Sequence, residues 1–282
     1  MKVLTNIIKF ILVSILTICL IAIGMITIVY STILDKTYIT SKLEETNFYQ
    51  ETYELVKSNF ENYIYQSGLD EEVLNDICSQ EKVKNDINII ISNIYSGTKG
   101  KIDTSEIAEN LNANINKLGI KNSQNQKAID QFVDQICNEY TETIIHTNYE
   151  TKLNSEYIKI VDKIVKLNNV VVVATIVVII LLIIMNIIGA MASKLIQDFG
   201  IALFATGAFN LTACSIVMSK VNIDGIKIFN DTFSKAVVTI ITEVITRIMS
   251  LGIGTMAIAI ALIVAYAMVK VNKKNKEETT DK

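Results

Sequence analysis

Proline is absent from all 282 residues. Average usage of about 5% would place roughly fourteen in a chain of this length. Proline breaks helix interiors and marks turns, so its absence favours a chain that is helical nearly throughout. Histidine occurs once, which excludes a His-rich metal site within one chain. No phosphate loop of the form GxxxxGK[ST], no GxGxxG, no HExxH and no GxSxG is present. Sustained alternation of apolar and polar residues is also missing, which argues against a β-rich ligand-binding module. Residues 35–166 contain no arginine.

What the chain has in quantity is apolar sequence. Half of its residues are hydrophobic and the mean hydropathy is +0.38, too high for an ordinary soluble domain. Four runs carry no charge: Phe10 to Leu34, Leu167 to Ser193, Phe199 to Ser219 and Ile248 to Val269. A helix rises about 1.5 Å per residue, so about 20 residues cross a hydrocarbon core of about 30 Å. All four runs are long enough. The third is diluted by Gly, Asn, Thr and Ser. The first is too long for the roughly 7–15-residue apolar region of a secretory signal, and is expected to stay as an anchor.

Orientation follows from the lysines. Lys2 and Lys9 precede the first run, and Lys270, Lys273, Lys274 and Lys276 follow the last. The positive-inside rule places both groups in the cytoplasm, which requires an even number of crossings. The expected fold is therefore an all-α integral membrane protein, with four transmembrane helices and one extracytoplasmic helical domain. Residues 1–34 form the anchor and first span, and residues 35–166 the external domain. Three further spans cover about 167–193, 199–219 and 248–269, with an external loop at 220–247. A basic, then acidic, cytoplasmic tail covers 270–282. The loop carries basic residues against the rule, and a helix starting near Asp231 would run through it.

The external segment holds 14 Lys against 22 Asp plus Glu, a net charge of −8. An acidic domain is a poor candidate for nucleic acid or anionic lipid. It reads as helices separated by Gly68, Gly97 and Gly119, with starts near Thr46 or Asn47, at Asp70 and at Asp103–Thr104. "LDEEVLNDICSQ" reads as a helix beginning on Asp70. A later helix, from about Asn154, reads as continuous with the second span.

Few residues suggest chemistry. Glu142, His146 and Glu150 are spaced i, i+4, i+8 and would share a helix face, where they could hold a metal ion; an exposed polar face explains the same spacing. Cys78 and Cys137, in "LNDICSQE" and "VDQICNEY", are a candidate disulfide, with two unpaired core thiols as the alternative. Cys19 and Cys214 fall in spans, as small apolar residues. Glu243 and Arg247 form an i, i+4 pair at the expected outer boundary of the fourth span. Ala205, Ala208 and Thr212 in the third span, and Gly254, Ala257 and Ala261 in the fourth, form small-residue stripes of the kind used in helix packing. Asn210, opposite the first stripe, should face another helix or a polar cavity.

These features point to a bacterial-type, multi-pass protein of the cell membrane, with both termini cytoplasmic. The expected role is non-enzymatic: an external helical domain for interaction or sensing, assembling with membrane or envelope partners. A transporter or channel component, with a polar path near Asn210 and Glu243–Arg247, is the alternative. A membrane enzyme of unrecognised class is third. No cofactor is expected. Expected partners are membrane lipid and a second protein or second copy, with no nucleic acid.

Overall fold

The computed structural model describes residues 2–98, 101–120, 125–145, 169–187, 192–227 and 231–280. It is all-helical, with no strand among the described residues. The chain divides into two compact units. One combines residues 34–162 with 227–239; the other combines 1–33, 163–226 and 240–282.

The first unit holds α2 (Lys36–Glu45), α3 (Phe48–Ser67), a 3-10 turn (Glu71–Leu74), α4 (Gln80–Ser96), α5 (Ser105–Lys117) and α6 (Gln126–Ile145). Short polar side chains start these elements. Asp35 accepts the Thr37 N–H, Asp70 the Glu72 N–H, Ser79 the Lys82 N–H and Asp103 the Ser105 N–H. Gly68 and Gly97 cap α3 and α4 with φ of 69° and 68°, and Gly119 takes φ 68° just beyond α5. That left-handed backbone is open to glycine at no steric cost. Asn47, with φ 57°, makes the sharp step from α2 to α3.

One expectation fails here. The stretch from Asp70 does not continue as an α-helix. It makes a single 3-10 turn, and Asp76 then adopts φ 55°, which turns Ile77 inward to 2% exposure. The core is drawn from every helix of the unit: Val56 and Phe60 of α3, Val83 and Ile87 of α4, Ile107, Leu111 and Ile115 of α5, and Ile136 and Tyr140 of α6. The helix expected from Asn154 into the second apolar run lies outside the described residues.

The second unit is built on four helices long and apolar enough to cross a membrane: α1 (Lys2–Tyr30), α7 (Asn169–Ile187), α8 (Ala192–Lys220) and α9 (Asp231–Thr280). Leu16 of α1, Leu181 and Met185 of α7, and Ala202 of α8 form one buried cluster. Lys9 and Asp198, near the starts of α1 and α8, are paired at 3.3 Å. The two helices therefore run side by side in the same direction. Helices α8 and α9 meet at glycines. A Cβ on Gly207 would stand 2.5 Å from the Gly252 carbonyl oxygen, and one on Gly200 3.4 Å from that of Ala259. This order of contacts makes α9 antiparallel to α8.

Helix α9 is 50 residues long, about 75 Å at its ordinary rise. It begins inside the segment read as an external loop. Its first turns, residues 231–239, belong to the first unit, where Ala236 is a core residue.

Candidate functional site

A connected group of ionisable side chains in the first unit links α4, the start of α5 and α6. The helical spacing of Lys82 and Asp86 puts both on one side of α4. Val83 and Ile87 beside them enter the core, so the polar pair is carried inward with them. Tyr140 of α6 is fully buried and donates its hydroxyl to Asp86 Oδ2 at 2.5 Å. Lys82 Nζ stands 3.3 Å from the same oxygen and 3.8 Å from Glu106 Oε2. It also donates to the Asp103 carbonyl oxygen at 2.9 Å and lies 5.8 Å from the Tyr140 ring centroid. One ammonium thus ties α4 to the start of α5 and to α6.

Cys78 borders this network and donates to the Ser79 carbonyl oxygen at 3.6 Å. Burial pushes its thiol up to about 12. Burial, reinforced by the bond to Asp86, pushes the Tyr140 hydroxyl up as well. A thiolate, not a thiol, is the nucleophile, and a thiol raised this far stays protonated at neutral pH. Neither group is poised to attack a substrate or to accept a proton. Two clefts, each of about 290 Å³, open on either side. One is lined by Ser79, Lys82, Asn85, Asp86 and Glu106. The other is lined by Tyr53, Lys57, Phe60, Glu71 and Cys78 among its residues. The arrangement functions as a polar clasp within the core.

The remaining candidates are scattered over the two units. Cys78 and Cys137 are both free thiols, each packed against the same core. Cys137 donates to the Thr104 carbonyl oxygen at 3.9 Å, and burial raises its pKa. Glu142 lies in α6, while His146 and Glu150 lie outside the described residues. Among the described residues, no group of three His, Cys, Asp or Glu is placed to hold a metal ion. Arg247 donates to Glu243 Oε1 through Nη2 at 2.8 Å and through Nε at 3.2 Å.

The small-residue stripes are not the seam between α8 and α9. Ala205, Thr212, Gly254, Ala257 and Ala261 are exposed, and Ala208 is half-buried. The seam runs instead through Gly200, Gly207, Gly252 and Ala259. Both kinds of position satisfy the small-residue rule, and a helix with small residues on two sides does not reveal which side is used. Asn210 sits on the seam, 0% exposed, with neither amide atom hydrogen-bonded among the described residues.

The clasp itself went unread in the sequence. Its one local signal was Lys82–Asp86 at i, i+4, flanking core valine and isoleucine. Tyr140 is 54 positions further on, and nothing local announces that pairing.

Together these features define a class: an all-helical protein with four helices suited to spanning a membrane, in the manner of a multi-pass membrane protein. No family model, curated protein or solved structure matches the chain.

Proposed function

We propose that this is a multi-pass membrane protein with both termini in the cytoplasm, whose helical unit is displayed on the external side as an interaction or sensing module. The reading is non-enzymatic. One observation carries it. Residues 227–239, which lie between the third and fourth apolar helices, pack in the same unit as residues 34–162, which lie between the first and second. Phe233 meets Phe48 edge-on at 6.1 Å, Lys235 pairs with Glu51 at 2.7 Å, and Ala236 is 1% exposed. Segments that share one core share one side of a membrane. That condition holds with four crossings. It also supports putting Lys2, Lys9 and the basic tail together on the opposite side, where positive-inside bias favours them.

The acidic surface of the module suits a protein partner or a second copy rather than nucleic acid. The protonated Tyr140 and Cys78 of the clasp favour a structural role over catalysis. Reporter fusions after Leu118 and after Ile226 should read external, and those after Ile196 and Lys276 cytoplasmic. An external reading at Lys276 ends the four-span arrangement. Crosslinking in native membranes, followed by identification of what co-purifies, tests the interaction role. Recovery of the chain alone, uncrosslinked to itself or to any other protein, defeats it.

A second reading, a transporter or channel component, is favoured by Asn210. A buried amide without partners costs several kcal/mol of desolvation, on the order of 2–7 by reference state. Such residues inside a bundle commonly serve a polar path. Solvent accessibility of a cysteine placed at 210 to a small charged thiol reagent distinguishes the two readings.

A further inference from the structure

Where α8 ends, the chain makes a tight turn whose geometry is set locally. Asn222 Oδ1 accepts the Gly225 N–H at 3.1 Å, and the Asn222 carbonyl accepts it at 3.2 Å. The Asn222 amide lies so close over Gly225 that a Cβ there would be 2.3 Å from Nδ2. Ile223, 9% exposed, anchors the turn. The amide is thereby held with its oxygen committed and its nitrogen left as a donor. Around it opens a cleft of about 450 Å³, lined by Met218, Ser219, Lys220, Asn222, Asp224 and Thr242 among its residues. That volume falls in the range of small-molecule sites, about 300–1,000 Å³.

Two features indicate what such a cleft would take. First, its charges are one ammonium, Lys220, and one carboxylate, Asp224, and neither has an ion-pair partner among the described residues. A single cation and a single anion left unpaired on one cleft match a zwitterion better than an anion. Second, the approach is apolar. Ile216, Met218 and Val221 are 56%, 50% and 48% exposed beside the cleft, at the end of a helix suited to spanning a membrane. A ligand that is zwitterionic at one end and apolar at the other is a phospholipid.

We propose that this cleft binds the headgroup of a zwitterionic phospholipid carrying a primary amine, of the phosphatidylethanolamine type. Lys220 and the Asn222 Nδ2 donors face the phosphate. Asp224 accepts hydrogen bonds from the primary ammonium, which a quaternary choline nitrogen cannot donate. The acyl chains follow Ile216 and Met218. The site rests on the membrane reading given above.

The test uses the full-length protein in vesicles of phosphatidylcholine doped equally with phosphatidylethanolamine and phosphatidylglycerol. Mild detergent extraction and native mass spectrometry then count retained lipid. The expected result is enrichment of phosphatidylethanolamine by about threefold over both others, the scale of one exposed charge contact. Lys220→Gln should abolish the enrichment. Asp224→Asn should shift it to phosphatidylglycerol, because only the cation remains. An unchanged thermal midpoint shows that each variant is folded. Retention of the three lipids in proportion to their supply overturns the proposal, as does enrichment that survives both substitutions. Displacement of the lipid by soluble phosphoethanolamine would assign the cleft to a free metabolite instead and overturn the lipid source. A chain that fails to float with the vesicles defeats the membrane reading itself, whereas one that floats without preference defeats only the cleft.

Discussion

The Tyr140 hydroxyl donates to Asp86 Oδ2 at 2.5 Å, with Tyr140 0% and Asp86 5% exposed. The carboxylate is kept inside the core by this bond and by Lys82, and neither partner alone supplies both. Tyr140→Phe deletes one donor and leaves the buried oxygen under-satisfied, a loss of about 1–3 kcal/mol. Adding Lys82→Met and Asp86→Leu to Tyr140→Phe should recover part of it, since the buried oxygen and the ammonium paired with it are then removed together. Thermal unfolding of the full-length protein in detergent reads both. A triple variant no more stable than Tyr140→Phe would show that the orphaned oxygen is not what destabilises it.

The same burial makes a prediction about alkaline pH. In the folded state the Cys78 thiol is raised from its ordinary value of 9.0 to about 12. The unfolded chain therefore releases its proton first and binds fewer protons than the folded chain above about pH 9. Stability then falls as pH rises, and the contribution is fully present only below that point. Tyr140, also raised, adds to the fall once the pH passes an unfolded tyrosine's value of about 10. Cys78→Ala should flatten the decline between pH 9 and 10. In the structure Cys78 and Cys137 are free, so unfolded protein should label fully at both without reductant. Labelling that requires reductant would establish a bond between them. Equal alkaline slopes for Cys78→Ala and wild type would show that the thiol is not buried in solution.

How far the sequence could be read depended on the range of the physics involved. Helix ends are local events, and Gly68, Gly97 and Gly119 stand where the left-handed backbone is needed. The start of α9 near Asp231 was equally visible, because nothing between there and the fourth apolar run interrupts a helix. The stretch after Asp70 is ambiguous in sequence because acids in a first turn suit a 3-10 turn as well as an α-helix, and only the inward turn of Ile77 decides between them. Tertiary choices were not visible. The clasp joins residues 54 positions apart, and the helix seam could lie on either small-residue side of α9.

Asn210 tests whether an unsatisfied group is a structural fault or a reserved one. Both amide atoms are buried without partners among the described residues. Asn210→Leu removes them at similar size and should raise the unfolding midpoint, with a gain of about 1–3 kcal/mol less any packing strain. A lowered midpoint would mean that the amide is satisfied in the membrane, by water or by a ligand, and would strengthen the transport reading.

The glycine seam separates two kinds of small residue in the α8–α9 pair. At Gly207 a Cβ would approach Met256 Cγ to 2.4 Å and the Gly252 carbonyl oxygen to 2.5 Å. The methionine can swing away, but the backbone oxygen cannot, so Gly207→Ala forces α8 and α9 apart. Overpacking of this kind costs about 1–3 kcal/mol. At Gly254 a Cβ meets nothing within 4 Å. Gly254→Ala should therefore stabilise the helix slightly, by up to about 1 kcal/mol of propensity. The two substitutions are chemically identical and should have opposite signs, read as midpoints of the full-length protein in detergent. Destabilisation by both would place Gly254 in a close contact within the bundle. If Gly254→Leu left the midpoint unchanged yet abolished crosslinking between copies, the exposed stripe of Gly254, Ala257 and Ala261 would be the surface on which two chains meet.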